Sequence, residues 1–299
     1  ANVKLNHIQP KAKPLARALC LVTEDGERTF AISRGCMDEL DINLIPRELI
    51  HHTSMILLSS YILRDTDSLI AKASEKICLE AKNKNIPIAF SLASALIIRE
   101  KKEFISQFVE KYCNVLAGNL DEAYAYTGLN DPLLACEKLL DSVDFVLLTH
   151  GEKGLYIASY TEKSAARTTE QPIMSKSIAN YNEFEYSRAM LKKNCVEPIK
   201  IYNHINPYLG GPKLITNTNG AGDAAFAAVL HDIVANIYHR KLTPDSQKHK
   251  LDYLTYSSIS QIGKYANRVS YEIVSQESPR LQRLLPEREE SLEEDYWDR

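Results

Sequence analysis

Between residues 55 and 149 the chain repeats one pattern, a short unbroken apolar run followed by a stretch of helical period. Met55-Ile56-Leu57-Leu58-Ser59 reads as a buried strand, and 67–84 as a helix with Leu69, Ile70, Ala73, Ile77 and Ala81 near helical spacing. The alternation continues through strands at 87–92, 114–117 and 145–149 and helices at 103–111, 121–127 and 132–141. Continuous apolar strands between helices predict a mostly parallel sheet covered on both faces, an α/β fold. Ligands of such sheets bind at the carboxyl ends of the strands.

The flanks are read more simply. Strands at 18–23 and 27–32, joined through Glu24-Asp25-Gly26, predict an opening hairpin. Residues 160–213 are polar and carry Pro172, Pro198, Pro207 and Pro212, so they read as an irregular excursion. Helices are expected over 223–236 and 253–274, and the acidic tail 287–298 reads as a terminal helix docked through Leu292, Tyr296 and Trp297.

Composition removes several functions. With 299 residues, 44% hydrophobic and 25% charged, the chain resembles an ordinary folded protein rather than a disordered one. Lys and Arg total 36 against 39 Asp and Glu, so no overall basic field recruits nucleic acid or an anionic membrane. The short basic clusters His239-Arg240-Lys241 and Lys248-His249-Lys250 do not change that expectation. No run approaches the ~18 apolar residues of a membrane span, and residues 1–7 lack a secretory apolar core, so a cytoplasmic protein is expected. The six cysteines form no Cys-x-x-Cys pair and read as reduced fillers. A Walker A sequence and a Gly-x-Gly-x-x-Gly loop are both absent.

Glycine is scarce, 11 in 299, and four of the eleven fall between positions 210 and 222, while Gly151 and Gly154 bracket a tight turn. Asn217-Thr218-Asn219-Gly220-Ala221-Gly222-Asp223 runs directly into an Ala-rich helix. Small residues there let successive N–H groups converge, and the helix N-terminus adds its positive dipole end, giving an anion cradle. Asp223 at its edge competes with a bound phosphate unless it acts in the chemistry; the plain alternative is an Asp that caps the helix.

At these residues the chain resembles the ribokinase-like (PfkB) carbohydrate and nucleoside kinases. Asn119-Leu120-Asp121-Glu122 resembles that family's Asn-x-x-Glu motif, and Leu147-Leu148-Thr149-His150-Gly151-Glu152-Lys153-Gly154 its ATP-side turn. Asp25-Gly26-Glu27-Arg28-Thr29 resembles its lid hairpin. Tyr186-Ser187-Arg188-Ala189-Met190, the run His204-Ile205-Asn206-Pro207-Tyr208-Leu209-Gly210-Gly211-Pro212 and the tail are similar to a divergent bacterial branch acting on inosine and guanosine.

The resemblance implies a three-layer α/β/α kinase with a small β lid. Residues 1–35 would be the remnant of the lid region and 36–299 the kinase domain, interrupted by an irregular insertion at about 160–213. It implies ATP-dependent phosphorylation of a purine nucleoside at its 5′-hydroxyl, in purine salvage. Asp223 would take the proton, and the N–H groups of Gly220, Ala221 and Gly222 would hold developing negative charge. Asn119, Thr149, Gly151, Gly154 and Asn219 would line ATP, with Asn267 on the helix beside the adenine. Glu122 and Asn119 would hold Mg²⁺ through water, since this ion keeps much of its hydration shell; K⁺ activation stays open. For Glu122 the plain alternative is a surface helix carboxylate, and for 151–154 a simple hairpin turn.

Members of the family begin with a longer segment that supplies the first strands, an Asp for the sugar hydroxyls and a Gly-Gly motif. This sequence opens near the lid hairpin, and its only Gly-Gly pair, Gly210-Gly211, lies in the later excursion. The expectation is therefore that the N-terminal strands are missing, leaving an exposed sheet edge for a homo-oligomer or a separate chain to cover. The alternative to an active kinase is a non-catalytic nucleotide-binding remnant or one half of a split kinase.

Overall fold

A computed structural model describes residues 11–22, 28–208, 215 and 218–281. The chain starts with an antiparallel hairpin, β1 (Arg17–Val22) and β2 (Arg28–Ser33), followed by the short helix α1 (Arg47–His51). Then come β3 (Ile56–Ser59), α2 (Leu69–Asn83), β4 (Ile88–Ser91), α3 (Ala95–Glu100) and α4 (Lys102–Tyr112). They are followed by β5 (Val115–Asn119), α5 (Leu120–Thr127), α6 (Pro132–Leu139), β6 (Phe145–Thr149) and β7 (Leu155–Glu162). The chain continues through β8 (Arg188–Met190), β9 (Pro198–Ile205), α7 (Ala221–Leu242), β10 (Tyr253–Ser258) and α8 (Ile259–Val274).

The eight-stranded sheet has the order β10-β8-β7-β6-β5-β4-β3, with β9 also pairing with β7. Strands β3 to β6 are mutually parallel; following the antiparallel pairings outward, β8 and β9 share their direction and only β7 and β10 oppose it. The mostly parallel sheet expected from the apolar runs is present.

Side-chain alternation along the strands builds the layers. Ile88 and Phe90, Leu116, Val146 and Leu148 point to one face, where they pack with α2 to α6. Their neighbours Ala89, Val115, Ala117, Phe145 and Leu147 point to the other and pack with α7 and α8. This period-two division explains why the runs are apolar throughout: both faces are covered. Cys78, Cys113 and Cys136 are buried free thiols within the first core, and burial pushes Cys78 up to about 12.

Three expectations change. Residues 253–274 are not one helix, because Tyr253–Ser258 forms β10 and the helix starts only after the Ser258 cap, whose box with Gln261 marks the boundary. The stretch 160–213 is less irregular than expected. It holds the end of β7, all of β8 and all of β9, whose eight-residue register on β7 runs from Leu155↔Ile205 to Glu162↔Pro198. Helix α3 was not anticipated; its Ser94 cap accepts a hydrogen bond from the Ile97 N–H at 3.4 Å. The turn Glu24-Asp25-Gly26, the pair Gly210-Gly211, Asn217 and the acidic tail lie outside the described residues.

Candidate active site

Parallel strands β5 and β6 end in register, Asn119 opposite Thr149, so their carboxyl ends form one edge. Helix α5 starts at that edge through a reciprocal capping box. The Glu122 N–H donates to Asn119 Oδ1 (2.9 Å), while Glu122 Oε2 accepts from the Asn119 N–H (3.0 Å) and Oε1 from its Nδ2 (3.0 Å). Gly118 makes this fold possible, since a Cβ there would lie 2.9 Å from Glu122 Oε2 and 2.9 Å from Leu92 Cδ1.

Glu122 is therefore no surface carboxylate. It is 9% exposed, and burial pushes its pKa up to about 7. The hydrogen bonds from Asn119 oppose the rise, whereas the charges of Asp223 and Asp121 add to it. Asn119 engages its whole side chain with Glu122, so its first effect is to orient that carboxylate.

The glycine-rich segment arrives from the other side. Helix α7 has Gly220 as N-cap with φ 78°, no side-chain cap, and Asp223 in its first turn. Helices α2, α3, α5, α6 and α8 begin with a side-chain cap, whereas α1, α4 and α7 do not; of these three only α7 starts on a left-handed glycine. Among the described residues the amides of Gly222 and Asp223 have no protein partner, the orphan donors of a helix start. Both residues are exposed. The turn is fixed from behind, where Ser270 Oγ of α8 donates to Ala221 O at 2.7 Å. A Cβ on Gly222 would sit 3.7 Å from Thr149 Oγ1, which brings the cradle against the end of β6. Asn219 Nδ2 approaches Cys20 Sγ of the hairpin at 3.9 Å.

The 151–154 turn follows Thr149. Gly154 adopts φ 87° and ψ −141°, and a Cβ there would lie 1.9 Å from Ile205 O. Only glycine fits this place. Beside it His150 keeps a buried Nδ1 without a protein partner among the described residues. Burial, then the charges of Lys153 and His204, hold this imidazole below its ordinary value. His204 stacks on Tyr156 with centroids 4.2 Å apart, and its Nε2–H donates to Lys153 O, 2.9 Å away. Asn267 donates to Asn206 O at 2.8 Å, so one of its amide hydrogens ties α8 to the exit of β9.

The fold thus gathers Asn119, Glu122, Thr149, Gly222 and Asp223 at one edge, with Gly151 and Gly154 on the turn that follows β6. Sequence reasoning missed Gly118, Tyr61 and His150. A glycine closing an apolar strand is a signal of close approach, and Tyr61 sits just past the carboxyl end of β3, where ligands of such sheets bind.

The donor set fits a hydrated divalent cation. Glu122 and Asp223 repel each other, and among the described residues no three His, Cys, Asp or Glu side chains gather to cage a metal. A cation here would share its coordination with water and phosphate oxygens, as Mg²⁺ commonly does.

The chain belongs to the pfkB family of carbohydrate kinases, whose model matches residues 1–175. It is 50% identical over 296 residues to guanosine-inosine kinase of Escherichia coli K12, covering 99% of this chain and 68% of that protein. Among solved structures it resembles adenosine kinase from Sinorhizobium meliloti, with TM-score 0.63, 17% identity, 91% of this chain and 64% of that one. It also resembles fructokinase from Vibrio cholerae, solved with fructose, ADP and calcium, with TM-score 0.62, 15% identity, 98% of this chain and 77% of that one. These two likenesses establish the ribokinase-like fold. The chain spans about two thirds of the length of the E. coli kinase and of the adenosine kinase. No helix among its described residues is long and apolar enough to cross a membrane.

Proposed function

We propose that the chain transfers a phosphoryl group from ATP to the 5′-hydroxyl of inosine or guanosine. The observation that carries the chemistry is the uncapped first turn of α7, which presents Asp223 and two unpartnered amides beside the buried carboxylate of Glu122. The substrate class rests on the 50% identity to guanosine-inosine kinase.

Asp223 is exposed at the cradle, where its carboxylate accepts the hydroxyl proton as the oxygen attacks phosphorus. The amides of Gly220 and Gly222 and the dipole of α7 stabilise charge on the phosphoryl oxygens, an interaction that strengthens towards the transition state, while the Ala221 N–H is turned to Thr218 O at 3.5 Å. When bound, Mg²⁺ neutralises phosphate charge. Glu122 orients its water shell, and Asn119 keeps that carboxylate aimed. Gly151, exposed on that turn, offers the ATP side its backbone while the buried Gly154 fixes the turn's shape, with Asn219 and Asn267 flanking it. The reading places the protein in the cytoplasm, and replacing K⁺ by Na⁺ in the assay reads any monovalent requirement.

The test is transfer of labelled phosphate from Mg-ATP to inosine, guanosine, adenosine and ribose by the purified chain, with its sedimentation measured alongside. Nucleoside 5′-monophosphate formed from inosine or guanosine supports the reading. ATP binding without transfer to any acceptor would make the chain a nucleotide-binding module or one part of a larger active particle.

A further inference from the structure

Just past β3, residues Ser60 to Leu63 form one turn of 3-10 helix at the carboxyl edge of the sheet. Its first two side chains reach the next crossover. The buried Ser60 hydroxyl donates to Leu92 O at 2.5 Å, and the Tyr61 hydroxyl donates to Ala93 O at 3.2 Å. The segment they grip is unusual. Ala93 has φ 52°, a left-handed conformation that costs an alanine energy, and the Ser94 N–H closes back on Leu92 O at 2.5 Å. This is a γ-turn of the strained hand. Glycine would adopt it without penalty, so an alanine there must be held from outside.

What the turn holds is next to the site. Leu92 is fully buried, and its Cβ and Cδ1 lie 3.1 and 2.9 Å from the point where a Gly118 Cβ would stand, the same point that Glu122 Oε2 approaches to 2.9 Å. Leu92 therefore closes over Gly118 from the turn side as the Glu122 carboxylate does from α5. Tyr61 itself is within reach of both acidic groups: burial first, then the charges of Glu122 and Asp223, push its phenol up, against Arg64.

We infer that Tyr61 is a positioning residue of the transfer centre: its hydroxyl, with that of Ser60, locks the Ala93 turn left-handed and thereby keeps Leu92 against Gly118 and Glu122. Relaxation of Ala93 to an ordinary φ would swing the Leu92 and Ala93 carbonyls and draw the Leu92 side chain away. The start of α5 would then lose its wall, and the carboxylate its aim. This inference rests on the phosphoryl-transfer reading of the same edge.

The experiment compares the 299-residue chain with Tyr61→Phe, Ala93→Gly and the double variant, by phosphoryl transfer from Mg-ATP to inosine and by deuterium exchange of residues 115–122. Tyr61→Phe keeps the ring and the Ser60 bond and removes only the hydroxyl's hold on Ala93 O. It should lower kcat by about tenfold while the KM for ATP stays within about twofold, and it should speed exchange at 118–122. Ala93→Gly alone should behave as the parent. The double variant should recover most of kcat and protection, because glycine adopts the turn without strain and has no drive to leave it when the clamp is gone. A Tyr61→Phe protein identical to the parent, or a glycine that restores nothing, would overturn the inference. If the parent transfers no phosphate, the functional reading fails, and the exchange data still decide whether the clamp exists.

Discussion

Two carboxyl groups sit at opposite ends of the same parallel strands, and both are pushed up by burial. At the amino ends, Asp144 accepts from Asn114 Nδ2 at 3.1 Å and from the Lys192 N–H at 2.8 Å. The charges of Lys193 and Lys192 further favour its ionised form. At the carboxyl ends, Glu122 receives its hydrogen bonds from Asn119, and the charges acting on it, Asp223 and Asp121, are both negative. One group is neutralised by its own protein, which suits a fastening role. The other is left with an electrostatic deficit that a bound cation would remove. Burial alone does not separate structure from chemistry; the sign of the surroundings does.

The same contrast holds for backbone strain. Gly154, at the carboxyl end, has φ 87° and no room for a Cβ against Ile205 O. Asn85, at the amino end, is left-handed at φ 54° with its side chain free to accept from Lys193 Nζ at 3.3 Å.

Breaking these pairs one member at a time should give graded effects. Gly154→Ala should be the most damaging to the fold, losing about 3 kcal/mol or more in urea unfolding, because the β9 exit must move. Glu122→Gln should come next. A glutamine oxygen still accepts from the Asn119 N–H and keeps the capping box, although the bond from Asn119 Nδ2 is lost, so the fold survives while transfer falls by about 10- to 100-fold in a steady-state assay.

That variant should also change pH dependence, measured by urea unfolding without nucleotide or divalent cation. The folded protein binds the Glu122 proton more tightly than the unfolded chain, with a value raised from 4.5 to about 7. Its contribution favours the fold fully below about pH 4.5 and is lost as pH rises through about 7, a difference of about 3 kcal/mol. The parent should lose this stability across that window, and Glu122→Gln should flatten the slope.

Asp144→Asn, at the opposite end, should cost about 1–2 kcal/mol and leave transfer unchanged, since an amide has one acceptor oxygen and keeps only one of the two donors, Asn114 Nδ2 or the Lys192 N–H. Asn85→Gly should be the smallest effect, a stability change below about 1 kcal/mol in either direction, because relief of strain offsets the added freedom of the unfolded chain. If Asp144→Asn abolished transfer and Glu122→Gln did not, the contrast between the two ends would be reversed.

Much of this architecture was legible in the sequence where burial is two-sided. Runs such as Phe145-Val146-Leu147-Leu148 leave no polar face, so strand and parallel packing follow together. Strands whose residues are partly exposed carry no such signature. Tyr253-Leu254-Thr255-Tyr256 merged into the helical period of α8, and β9, with Lys200 and His204, passed for a loop. Of the site, the cradle was legible because glycine is scarce elsewhere, and Asn119 and Glu122 only through their resemblance to the family's Asn-x-x-Glu motif. That Glu122 turns inward depends on Gly118 and Leu92 meeting from different crossovers, which no local pattern encodes. The clamp on Ala93 joins residues 32 apart and was invisible for the same reason.

The central claim is that Asp223 performs the proton transfer at the start of α7 rather than capping it. The measurement is single-turnover transfer from Mg-ATP to inosine by the parent and Asp223→Asn, with ATP affinity measured by calorimetry. The account predicts unchanged ATP binding and a rate lower by about 10²- to 10⁴-fold in the variant. A variant that turns over like the parent would reduce Asp223 to a cap and contradict it.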